Sequence, residues 1–120
     1  MLKRFALQQL TRWSQKENRK PLVLSGARQV GKTWLIKEFG KTRYAKTAYV
    51  NFDNNARMRQ LFSGDYEVSR LIVGLQAETG LTISPQDTLI VFDEVQANPS
   101  ALTSLKYFYE DTPQFAVVAA

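Results

Sequence analysis

Two short strings in this 120-residue chain hold residue types that could do chemistry on a phosphate. Gly26-Ala27-Arg28-Gln29-Val30-Gly31-Lys32-Thr33 matches the pattern G-x-x-x-x-G-K-[ST] in full. Glycines at 26 and 31 let the backbone curl so that successive N–H groups face one anion. The N-terminus of a following helix adds its partial positive charge at the same place. Lys32 can then reach the β- and γ-phosphates, and the Thr33 hydroxyl can ligate Mg²⁺. Such a loop implies that the chain binds a nucleoside triphosphate. The second string is Asp93-Glu94, about 60 residues on and directly after Leu89-Ile90-Val91-Phe92. Asp93 would hold Mg²⁺ through a water, and Glu94 would polarise the water that attacks the γ-phosphate. An acidic pair after a strand can simply solvate a turn or cap a helix, but the intact loop upstream favours the chemical role.

What is missing narrows the chemistry. The chain has no cysteine and no histidine, so Ser-His-Asp and Cys-His nucleophile systems and His/Cys zinc sites are excluded. Neither N-K-x-D nor D-x-x-G, the usual marks of a guanine site and its switch, occurs in the sequence. ATP is therefore favoured over GTP. A small-molecule kinase would not usually place a glutamate directly after the strand aspartate, so hydrolysis is favoured over transfer to an acceptor. A P-loop kinase stays as an alternative.

Both strings need elements to hold them. Pro21-Leu22-Val23-Leu24-Ser25 reads as the strand before the loop, and Trp34 to Phe39 continues a helix from Lys32 that should stop at Gly40. A second strand runs over 47–52 and ends at Asp53-Asn54-Asn55. Met58, Leu61 and Phe62 suggest a short helix closed by Ser63-Gly64. Asp65 should cap the next, with Val68, Leu71, Ile72 and Leu75 on one face and Gly80 at its end. Ser84 to Asp87 is a turn, and Thr88 to Phe92 is a continuous apolar strand of the kind buried on both faces of a parallel sheet. Asn98-Pro99 starts a helix whose inner face holds Leu102, Leu105, Phe108 and Tyr109. Phe115 to Ala120 begins a fourth strand. Strands alternating with helices imply a single α/β domain over 1–120 with a parallel sheet and right-handed crossovers. The loop and the acidic pair should then face each other across two neighbouring strand ends, with magnesium between them.

Residues 2–16 carry Leu2, Phe5, Ala6, Leu10 and Trp13 at helical spacing, an amphipathic helix. The net charge of +5 is uneven, because residues 1–46 hold 12 of the 16 Lys/Arg and only Glu17 and Glu38 as acids. A basic N-terminal part could steer nucleic acid, and a nucleic-acid-associated ATP-dependent switch is a second alternative. No base-reading motif accompanies the charge, so a solubilising face is preferred. No apolar run of membrane-spanning length and no signal-peptide pattern occurs, which points to a cytoplasmic protein without membrane contact. Arg28 could touch phosphate or anchor the loop by an ion pair. Asn51 and Asp53 suit turn formation better than the site. Arg57, Arg59 and Arg70 suit solvated helix surfaces, and Gln96 could touch the attacking water or only cap its turn. Trp13 and Trp34 suit packing better than base stacking.

The loop Gly26–Thr33 together with Leu89-Ile90-Val91-Phe92-Asp93-Glu94-Val95-Gln96 resembles the bacterial and archaeal AAA-type ATPases that carry an appended C-terminal domain of uncharacterised role. Ala27-Arg28-Gln29 within the loop, Gln96, the Ser104-Leu105-Lys106-Tyr107-Phe108 segment and the basic N-terminal helix agree with it, so the resemblance spans the chain. It implies a P-loop three-layer α/β sandwich with the loop strand between the fourth and fifth strands in space. It also implies ATP and ADP as ligands, Mg²⁺ as cofactor, and hydrolysis in the complete protein. Family members continue past the fourth strand with a sensor residue, a lid and the C-terminal domain. None of these can be assigned to residues here, so the chain is expected to be a part truncated after that strand. Its remaining C-terminal region would be a partner, the loop strand would have an open edge, and turnover by the part alone would be small.

Overall fold

The computed structural model describes residues 2–17, 19–24 and 31–120. The elements in chain order are α1 (Leu2–Ser14), β1 (Leu22–Val23), α2 (Lys32–Arg43), β2 (Lys46–Asn51), α3 (Ala56–Phe62), α4 (Val68–Thr79), β3 (Thr88–Asp93), α5 (Pro99–Asp111) and β4 (Ala116–Ala119), with a 3-10 turn at Val95–Ala97. The strands form one parallel sheet in the order β1-β4-β3-β2. This is the α/β parallel-sheet fold expected of a P-loop protein, with one correction to the sequence reading. The strands bearing the loop and the acidic pair are not neighbours: β4 lies between β1 and β3.

The alternation of side chains along each strand builds three layers. Leu89 and Val91 of β3, Ala116 and Val118 of β4 and Tyr49 of β2 pack with Leu10 and Trp13 of α1 and with Leu35, Ile36 and Phe39 of α2. The intervening residues Ala48, Val50, Ile90, Phe92, Val117 and Ala119 meet α3, α4 and α5 on the other side. Every residue of β3 is buried, as a strand covered by helices on both faces must be. On the second face Phe52, Phe62, Phe92 and Phe108 meet edge to face, with ring centroids 5.1–6.0 Å apart.

Several local expectations need correcting. Helix α2 runs through Gly40 and ends at Tyr44, whose N–H donates to the Gly40 carbonyl. A Cβ at position 40 would sit 2.3 Å from Thr47 Oγ1. Gly40 therefore permits a close helix–strand approach rather than a helix stop. Asp65 is not the N-cap of α4; that position is Glu67, whose N–H donates to Asp65 Oδ1. Gly80 does end α4, at φ 73° with its N–H on the Gln76 carbonyl. The inner face of α5 is Ala101, Ser104, Leu105 and Phe108, while Leu102 is 44% exposed. Ser104 tolerates burial because its hydroxyl donates to the Ala101 carbonyl at 2.6 Å. Asn98 caps α5 as expected, accepting from the Ala101 N–H at 3.2 Å, and its amide also donates to the Met58 carbonyl of α3. Trp13 is buried, but Trp34 is 55% exposed and does not serve the core.

Candidate functional site

The first of the two strings runs into α2, and its last glycine has a conformation that suits glycine. Gly31 sits at φ 92°, in the left-handed region that a Cβ disfavours. Its carbonyl accepts the first bond of the helix from the Leu35 N–H at 2.8 Å. Gly26, Ala27, Arg28, Gln29 and Val30 lie outside the described residues. Lys32 and Thr33 follow as the first turn of α2, both half-buried.

Residue 93 is the last of β3 and faces α2, because Leu89, Val91 and Asp93 alternate onto that side. The first turn of α2 lies over the same strand end. The Thr33 hydroxyl donates to Asp93 Oδ2 at 2.7 Å. Thus the two strings, 60 residues apart in sequence, meet in space through a direct hydrogen bond. It is α2 that spans the intervening β4.

Two further donors converge on the carboxylate, which is only 6% exposed. The Glu94 N–H donates to Oδ1 at 2.9 Å. The Tyr49 hydroxyl donates to Oδ2 at 2.5 Å. Tyr49 was not marked as a site residue by its sequence. Its register partner on β3 is Val91, so its ring must reach one step further along the face to meet Asp93. Burial, and next the hydrogen bond to Asp93, push the phenol above its ordinary pKa of 10.0, so it keeps its proton. Lys37, one turn beyond Thr33 on α2, places its ammonium 4.1 Å from the centroid of the Tyr49 ring.

Glu94 begins the turn after the strand at φ 54° and ψ 44°. A left-handed backbone is uncommon for a residue with a side chain, and such outliers cluster at functional sites. The turn is held on both sides. Val95 N–H donates to the Ala120 carbonyl at 3.0 Å, and Ala120 N–H donates to the Phe92 carbonyl at 2.9 Å. The Gln96 amide donates to Glu94 Oε1 at 2.7 Å, so Gln96 contacts the acid directly. Asn51 and Asp53 close a turn, the Asp53 N–H donating to Asn51 Oδ1 at 2.8 Å, and the Asn51 side chain also interacts with the Tyr49 hydroxyl.

The donors available for a cation are hard oxygens, the Thr33 hydroxyl and the Asp93 carboxylate. They fit Mg²⁺, which keeps several waters and takes one or two protein oxygens plus phosphate rather than a full protein cage. No cluster of three or more potential metal-binding His, Cys, Asp or Glu occurs among the described residues. A large groove of about 670 Å³ lies elsewhere, between α3 and α4, lined by Arg57, Met58, Leu61, Arg70, Gly74 and Glu78. Its arginines are engaged in ion pairs, Arg57 with Glu78 at 2.8 Å and Arg70 with Asp65 at 2.9 Å. It holds none of the phosphate-handling groups, so its size does not make it the site. No described helix is long and apolar enough to cross a membrane.

No curated protein and no solved structure matches the chain. A family model described as an AAA domain matches residues 18–120. The match takes in both strings and all four strands, and the chain therefore belongs to that AAA domain family.

Proposed function

We propose that this chain is the nucleotide-binding part of an ATPase that uses Mg²⁺ and that, in the complete protein, it hydrolyses ATP. Membership of the AAA family favours ATP binding in general. The observation that carries the finer reading is the Thr33–Asp93 hydrogen bond, which unites the two strings a P-loop ATPase needs.

In this reading the N–H groups of residues 26–31 and Lys32 take the phosphates. Thr33 and Asp93 hold the cation, Asp93 through water. Mg²⁺, when bound, offsets the negative charge on the β- and γ-phosphate oxygens. Glu94 orients a water and accepts its proton as the water oxygen bonds to the γ-phosphorus. The bond from that phosphorus to the bridging oxygen breaks, leaving ADP and inorganic phosphate. The Gln96 amide on Glu94 Oε1 fixes one oxygen of the acid and so helps to aim the other.

Nucleotide titration tests the reading. The chain should bind ATP and ADP with magnesium present, and Lys32→Ala should abolish binding. In the complete protein Glu94→Gln should bind ATP and fail to hydrolyse it. Normal hydrolysis by that variant would remove Glu94 from its role.

A further inference from the structure

We propose that Tyr49 is a positioning residue for the cation-side carboxylate, and that Lys37 braces it. This rests on the nucleotide-site reading above and adds a residue to it from a third element.

An aspartate carboxylate turns easily about its last torsion, where rotamer wells are broad. Thr33 and the Glu94 N–H approach Asp93 from α2 and from its own turn. The first is a side-chain hydroxyl and the second a backbone N–H, and the turn bearing Glu94 is the strained one. Tyr49 adds a donor from β2, a strand paired with β3 along its whole length. With Tyr49, Oδ2 accepts two bonds and Oδ1 one, out of roughly four lone-pair directions on the group. The remaining acceptor direction lies on Oδ1. The carboxylate is thus oriented before any cation arrives, which lowers the reorganisation needed on binding.

Lys37 gives the arrangement its stiffness. Thr33 and Lys37 are four residues apart on α2 and share a face. One touches Asp93 and the other lies over the Tyr49 ring, so successive turns of the helix grip the two halves of the Tyr49–Asp93 pair. Any shift of α2 on phosphate binding would be transmitted to the carboxylate through both contacts.

The test is ADP titration of the chain, in excess magnesium and in EDTA, for wild type, Tyr49→Phe and Lys37→Met. The phenylalanine keeps the ring and its packing while losing the donor. It should bind ADP in EDTA as wild type does, yet lose about 10-fold of the tightening that magnesium brings, the usual scale for losing a partner of a metal-binding group. Lys37→Met, at an exposed position, should lose part of the same increment with its folding intact, so the idea stands even if the tyrosine variant folds poorly. Equal losses with and without magnesium would make Tyr49 merely structural and overturn the proposal, as would full magnesium tightening in both variants. A wild-type chain that binds no ADP in either condition would instead overturn the nucleotide-site reading, and this inference with it.

Discussion

The Thr33 hydroxyl and the Asp93 carboxylate lie 2.7 Å apart although 60 residues separate them. The bond joins the first turn of α2 to the end of β3 across the position of β4. In the proposed nucleotide site it sets the hydroxyl assigned to the cation beside the carboxylate assigned to the cation's waters. It also links the start of α2 to β3, an interior strand of the sheet whose residues are all buried. A change at the loop therefore has a short mechanical route to Asp93 and its neighbour Glu94.

Removing the acceptor should cost stability as well as cation binding. Asp93→Ala leaves the Thr33 hydroxyl, the Tyr49 hydroxyl and the Glu94 N–H without their shared partner. Bonds to a charged group contribute about 1.5–3 kcal/mol each, but the half-buried hydroxyls can recover water, so a total loss of about 2–3 kcal/mol is expected. Thr33→Ala removes one donor and leaves the other two, and should cost about 1 kcal/mol. Urea unfolding without nucleotide reads both values.

Glu94 should show a conflict between stability and function. Its φ of 54° suits glycine, and relief of that strain is worth about 1–2 kcal/mol. Part of this is offset by the extra freedom glycine gives the unfolded chain. Glu94→Gly should therefore be more stable than wild type by about 0.5–1 kcal/mol, and inactive in the complete protein. Glu94→Gln should leave stability within about 0.5 kcal/mol, since shape and backbone are kept. Thermal unfolding of the two variants side by side separates strain from chemistry.

The sheet and the two strings were legible because each has a strong local pattern. Thr88 to Phe92 is too apolar for a half-exposed strand, and the loop glycines and lysine sit at fixed spacing. What escaped depends on relations between elements. Tyr49 lies at an ordinary strand position, and only its register against Val91 and the length of its ring bring it to Asp93. The place of β4 between β1 and β3 is a pairing choice that no segment specifies alone, and only the family resemblance pointed to β1 lying beside β4. In α5 the larger Leu102 looked like the core residue, yet Ser104 is buried because its hydroxyl bonds within its own helix. Asp65 misled by one turn of reasoning: its side chain does accept a backbone N–H, but that of Glu67, which itself precedes the helix.

Gly40 was misread because a glycine near a helix end signals a cap and a glycine at a close contact signals nothing different in sequence. Its role predicts a reversal of sign. In an open helix interior Gly→Ala stabilises by about 1 kcal/mol. Here the new methyl would meet Thr47 Oγ1 at 2.3 Å and Leu89 Cδ2 at 3.3 Å. Gly40→Ala should destabilise by about 1–2 kcal/mol, the overpacking cost exceeding the helix gain. In a Thr47→Ala background the worst contact is gone, and the same change should become neutral or favourable. A double-mutant cycle by urea unfolding checks it, and additive effects would contradict the close-contact account.

The Arg57–Glu78 pair gives a pH dependence with a defined sign. Arg57 Nε lies 2.8 Å from Glu78 Oε1, and Asn55 Nδ2 donates to Oε2 at 3.1 Å, tying α3 to α4. The Arg57 hydrogen bond, aided by Asn55 and opposed by burial, holds the Glu78 carboxyl below its ordinary 4.5. A carboxylate with a depressed folded pKa contributes its full stability above the unfolded pKa and loses it as pH falls through the folded value. Wild type should therefore lose this contribution in the acid range below about 4.5. Arg57→Ala should be less stable than wild type at neutral pH, and the gap should close as Glu78 becomes protonated in both. Raising salt at neutral pH should narrow the gap only in part, because Arg57 is exposed while the Glu78 side chain is 15% exposed. Stability curves at several pH values for the two proteins decide it. A gap that stays constant into acid would mean that Arg57 acts through packing over the α3–α4 groove rather than through its charge.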